Sequence, residues 1–170
     1  MKYIFCFLIF SSIVSSKVFS QELNQKYHDP RLDKEVLIGY CDLDGLRWGE
    51  FREPMVKTYD DYIGDEKVLD KIKNQWQDVS ITLVFASWCH DCKEQVPLFL
   101  KLLDITGFDN SDLTIIAVNG GKNAGDLDIS ELGIEKVPTM IFYRDGEELG
   151  RIIETPKKSL EKDTYKIIKN

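Results

Sequence analysis

Three features of this 170-residue sequence predict an α/β fold, with parallel central strands, flanking helices and an antiparallel hairpin at one edge. Two runs of strand length, "ITLVFA" (Ile81 to Ala86) and "LTIIAVN" (Leu113 to Asn119), are apolar almost throughout, as strands covered on both faces must be. A helical pattern lies between them, so the second strand returns beside the first in the same direction. Asp145-Gly146 joins two further strand patterns as a two-residue hairpin turn, which makes that pair antiparallel.

The length suits one core and is too short for two full domains. Lys2, the apolar stretch from Tyr3 to Val14 and the polar tail "SKVFSQE" have the layout of a secretory signal peptide over residues 1–20, cut after Ser20 or alternatively after Ser16. An apolar run of about 12 residues falls short of the roughly 20 that a membrane-spanning helix needs, which argues against a retained anchor. Loss of this segment removes Lys2 and Lys17 and leaves 20 basic against 29 acidic residues, a net charge of −9. A mature chain this acidic repels phosphate backbones and anionic membranes, so neither nucleic acid nor a membrane is an expected partner.

From Gln21 to Pro54, Pro, Gly and Asp punctuate one apolar patch, Val36 to Tyr40. This predicts a short extended segment with turns, and residues 21–64 are read as an extension attached to a domain over 65–170. In "DEKVLDKIKNQWQ" (65–77), Val68, Leu69, Ile72 and Trp76 share one helical face. After the first strand, Val96, Phe99, Leu100, Leu102, Leu103 and Ile105 predict a second helix ending at Gly107, with a kink expected at Pro97. A short helix around Ile129 to Leu132 leads into the hairpin strands, Thr139 to Tyr143 and Glu148 to Ile153. A helix over Lys157 to Ile168 closes the chain.

Chemistry concentrates at "VFASWCHDCKEQVP" (84–97), where Cys89 and Cys92 stand at a strand-to-helix junction. A thiol at a helix N-terminus meets unsatisfied amides and the positive end of the dipole, both of which favour thiolate. Cys89 is thus the expected nucleophile, and Cys92, one turn further in, can resolve a mixed disulfide by attacking it. A static disulfide between such neighbours closes a tiny loop and stabilises little. A zinc site needs more ligands than one pair, and the extras, His28, His90 and Cys41, lack ligand spacing. Copper handling by soft thiolates and His is the alternative from another class. Cys41 reads as a buried inert thiol, with a third redox thiol or intermolecular pairing as its alternative.

These residues resemble the thioredoxin family. "WCHDCK", Pro97, "VPT" with Pro138 and the "DG" hairpin occur in family order, covering Ile81 to about Ile153. The resemblance implies a thioredoxin-like fold, a central mixed β-sheet flanked by helices, and a thiol–disulfide oxidoreductase. It implies cysteine-containing protein substrates, a redox partner that recharges the pair, and no cofactor beyond the dithiol. Cys89 is similar to the family's exposed nucleophile and Cys92 to its resolving thiol; Trp88 resembles the aromatic beside them. Pro138 resembles the family's cis-proline, whose preceding residue, here Val137, pairs with a substrate chain.

The departures carry information too. Leu83 stands where cytoplasmic thioredoxins carry a buried acid, the central dipeptide is His90-Asp91, and Glu154 lies near the place of a usual glycine. With the leader, these point toward exported thioredoxin-like proteins of bacteria and the periplasm. Trp88, His90, Asp91 and Lys93 are the expected modulators of the pair, although a solvated face also accounts for Lys93 and Glu94. A protonated His90 would favour the Cys89 thiolate and Asp91 disfavours it. Asp91 is charged through the neutral range while His90 is mostly not, so a potential nearer the reducing end of the family is expected.

Overall fold

A computed structural model describes residues 22–169; the signal peptide expected over residues 1–20 lies outside them. The elements are β1 (Gln25–Asp29), β2 (Lys34–Cys41), α1 (Arg52–Asp60), α2 (Glu66–Ile72), β3 (Val79–Phe85), α3 (His90–Thr106), β4 (Leu113–Ala117), β5 (Thr139–Arg144), β6 (Glu147–Ile153) and α4 (Leu160–Ile168). Their strands make one sheet in the order β1-β2-β4-β3-β5-β6. β3 and β4 run parallel, joined by α3, while the other neighbours pair antiparallel.

The central strands form where their apolar runs place them. Ile81, Leu83, Val84 and Phe85 of β3 and Ile115, Ile116 and Ala117 of β4 are buried. At the hairpin between β5 and β6, Asp145 and Gly146 both take left-handed φ, 52° and 83°. A type I′ turn requires that of both residues, and Asp and Gly tolerate it best. α3 stops where expected: Gly107 is left-handed at φ 73°, and the Phe108 amide donates to the Leu103 carbonyl at 3.0 Å, closing the helix end while Phe108 is buried. Pro97 lies inside this helix with its ring buried.

Two stretches differ from expectation. α2 ends at Ile72, before Trp76, because the chain must turn into β3 at Val79. Trp76 instead caps the far end of α3: its indole N–H donates to Thr106 Oγ1 at 3.2 Å and its ring meets Phe108 at 4.9 Å. The larger difference is over residues 25–60, which form a hairpin, two 3-10 turns (Gly45–Arg47 and Gly49–Phe51) and α1. β2 extends the sheet by pairing Gly39 to Cys41 with Ala117 to Ile115 of β4. Leu37, Leu46 and Phe51 are fully buried in the same core as β3, and the Phe51 ring lies 5.3 Å from Phe85. α1 escaped the sequence pattern because it buries no residue completely. Its Tyr59 hydroxyl donates to Asp104 of α3 at 3.0 Å, and Lys101 of α3 lies over the Tyr59 ring at 4.5 Å.

Candidate active site

β3 ends at Phe85 and α3 begins at His90, so the four residues from Ala86 to Cys89 make the turn between strand and helix. Three hydrogen bonds fix it. The Cys89 amide donates to the Ala86 carbonyl at 3.1 Å. Ser87 Oγ accepts from the buried Leu37 amide of β2 at 3.1 Å, and the Trp88 indole donates to the Val118 carbonyl beyond β4 at 3.3 Å. Neighbouring strands on one side of β3 thus hold the turn that presents the thiols.

Cys89 is the N-cap of α3, half-buried, with a free thiol. Its Sγ lies 3.4 Å from the Val137 carbonyl, to which it donates only while protonated. Cys92 is completely buried, and its Sγ accepts the Ala86 amide at 3.4 Å. The two thiols are electrostatically unlike. Cys89 is drawn down to about 6, chiefly by a hydrogen bond from the Cys92 thiol, with the amides of Cys92 and Asp91 assisting. Partial burial and the Asp91 carboxylate oppose that shift. Cys92 is driven far above the ordinary thiol range, first by burial and then by Cys89. The outer sulfur is therefore mostly thiolate at neutral pH, while the inner one keeps its proton until the outer sulfur is bonded to something else.

The remaining expected residues fall into place around this pair. The peptide bond between Val137 and Pro138 is cis, and the Thr139 hydroxyl donates to the Lys136 carbonyl at 2.6 Å. The His90 imidazole points outward, 81% exposed, with Nε2 at 3.2 Å from Glu94 Oε1. Lys93 corrects the reading of a solvated face: its side chain is only 20% exposed and its ammonium lies 2.7 Å from Glu50 Oε2. Lys34 reaches the same oxygen at 3.5 Å, so this carboxylate joins β2, the second 3-10 turn and α3. Spacing along the chain could not disclose a partner 43 positions away.

Leu83 is fully buried between Ile115 and Met140 in the sheet, so the strand beneath the thiols is apolar. Cys41 lies buried in β2, its thiol pushed up to about 12 by burial, which keeps it protonated at neutral pH. His28 faces Asp33 at 3.5 Å, beside the turn between β1 and β2. Among the described residues no group of three or more His, Cys, Asp or Glu is placed to hold a metal ion, and no helix is long and apolar enough to cross a membrane. Sequence reading missed Ser87 and Glu50, which show their roles only once β2 and the 3-10 turn pack beside the thiols.

A family model described as Thioredoxin matches residues 62–166. The mitochondrial thioredoxin-2 of Schizosaccharomyces pombe is 35% identical over 83 residues, 48% of this chain and 57% of that protein. This chain therefore spans little more than half the length of that relative. Thioredoxin Asp f 29 of Aspergillus fumigatus is 27% identical over 99 residues, 58% of this chain and 86% of that protein. The crystal structure of oxidised mitochondrial thioredoxin 3 from Saccharomyces cerevisiae overlays with a TM-score of 0.37 at 21% identity, covering 66% of this chain and 98% of that one. Because the thioredoxin match takes in more than half of the chain and the whole stretch from Trp88 to Pro138, this chain belongs to the thioredoxin family.

Proposed function

We propose that the chain is an exported thiol–disulfide oxidoreductase acting as a reductant of cysteine-containing proteins, with Cys89 as nucleophile and Cys92 as resolving thiol. The observation that carries this reading is the unequal pair: a half-exposed thiol at about 6 above a buried one held protonated. The Cys89 thiolate attacks a substrate disulfide, forming one S–S bond to the substrate as the substrate's own S–S bond breaks and releases a thiolate. Cys92 then gives its proton to that thiolate or to water and attacks Cys89, forming the Cys89–Cys92 disulfide and freeing the second substrate sulfur. The substrate gains two electrons and the pair loses two, so a separate dithiol partner must recharge it.

The same thiol supports the reducing direction. A lower nucleophile pKa stabilises the reduced form and makes a pair more oxidising. The family runs from about 7 in thioredoxin to about 3.5 in the strongest oxidant. Cys89, at about 6, lies nearer thioredoxin, with Asp91 pulling against the thiolate. The leader over residues 1–20 supports export, and the bacterial periplasm is the compartment we propose. The copper reading calls on His90 as a ligand beside the thiols, and its ring turns to Glu94 instead.

Equilibrating the mature protein with glutathione gives the deciding number. The expected potential lies between about −270 and −120 mV, closer to the first. A value near the upper end would make the protein a disulfide donor, and absence of turnover on a protein disulfide would end the redox reading altogether.

A further inference from the structure

Glu154 follows β6 with φ 58°, in the left-handed region that a side chain disfavours. Among the described residues, the others at positive φ that are not glycine are Asn24, Asp33, Asp78, Lys122 and Asp145, four of them the Asn or Asp that tolerate this conformation. Glutamate has no such excuse, so something else must hold it there. Its amide donates to the Pro138 carbonyl at 2.7 Å, and its Oε2 lies 2.6 Å from the Lys136 ammonium. One residue therefore grips the three-residue stretch 136–138 at both ends. The middle residue, Val137, carries the carbonyl that lies 3.4 Å from the Cys89 sulfur.

Stability does not account for this arrangement. The Lys136 and Glu154 side chains are 59% and 34% exposed, and ion pairs in water contribute little, while the backbone at Glu154 works against folding. Position does account for it. We propose that Glu154 is a positioning residue of the active site, clamping the loop 136–138 through its amide and carboxylate so that the Val137 carbonyl stays in register with Cys89. The clamp has a second effect, since Lys136 is also within the field of Asp91, the acid that opposes the Cys89 thiolate. Paired to Glu154, the ammonium leaves that opposition in place. This inference rests on Cys89 being the exchange nucleophile.

Two variants test it, Glu154→Gly and Glu154→Gln, with three readouts on the reduced full mature chain: urea midpoint, kcat/KM for reducing a protein disulfide, and the pH midpoint of Cys89 alkylation by iodoacetamide. Glycine relieves the backbone, so its urea midpoint should hold or rise, yet kcat/KM should fall about tenfold, mainly through KM, because the loop keeps its backbone bond to residue 154 but loses the carboxylate that fixes Lys136. Glutamine should show the same loss of kcat/KM without the gain in stability. In both, the freed Lys136 turns toward Asp91 and the alkylation midpoint moves to lower pH. Wild-type kcat/KM and an unmoved alkylation midpoint in both variants would overturn the clamp. Should the wild type itself show no turnover, the redox reading fails, and the alkylation midpoint still decides the clamp: moved, it stands; unmoved, it falls.

Discussion

Cys89 and Cys92 are the same amino acid one helical turn apart, and what separates them is surroundings: amides and a donated thiol proton for one, the core for the other. Replacing Cys89 with Ser should abolish disulfide turnover, whereas Cys92→Ser should leave a mixed disulfide that mass spectrometry detects as a covalent adduct. Alkylation of the reduced protein should titrate at about pH 6. A thiol in the unfolded chain titrates near about 8.5. Between those pH values the folded state holds fewer protons at Cys89, so reduced protein gains stability as pH rises and loses it as pH falls toward 6. Cys92, shifted upward, works the other way above about 8.5, where only the unfolded chain releases its proton. The pH dependence of the urea midpoint in wild type against Cys89→Ala isolates the first effect; equal slopes for the two would contradict it. Asp91→Asn removes an opposing charge and should make the couple more oxidising, on the order of 10 mV by glutathione equilibration. His90→Ala, outward-facing and paired to Glu94, should change the potential less than Asp91→Asn does.

The active-site turn depends on β2 as much as on the motif that contains it. Leu37 packs fully buried while its amide donates to Ser87 Oγ, so one strand residue fills the core and anchors the turn. Leu37→Ala should cost about 2–5 kcal/mol in chemical denaturation. Ser87→Ala leaves a buried amide without its acceptor and should cost about 1–3 kcal/mol. A loss of less than half a kcal/mol in either would mean that β2 is peripheral. Glu50→Gln is a contrast within the same region: the carboxylate is largely exposed, so loosening it from Lys93 and Lys34 should cost less than about 1 kcal/mol.

Across the molecule, the family match begins at Tyr62, yet the sheet and core begin earlier. Beginning the chain at Tyr62 would strip β2 from β4, bare that strand's edge and remove Leu37, Leu46 and Phe51 from the core. Such a truncated chain should lose its cooperative thermal transition in near-ultraviolet circular dichroism; a sharp transition would show that residues 22–61 are dispensable. Sequence alone determined the central strands, the start of α3 with its two thiols and the Asp145-Gly146 hairpin. Each is a local signal, an apolar run, a turn dipeptide or a spaced motif, and local signals survive in one dimension. Tertiary structure alone decided that residues 25–60 complete the sheet, that Lys93 pairs with Glu50, that Cys41 is shielded by β2 and its neighbours and that Glu154 reaches back to Lys136. Those facts depend on segments distant in sequence meeting across a strand edge or a loop, and neither composition nor period records which partner arrives there.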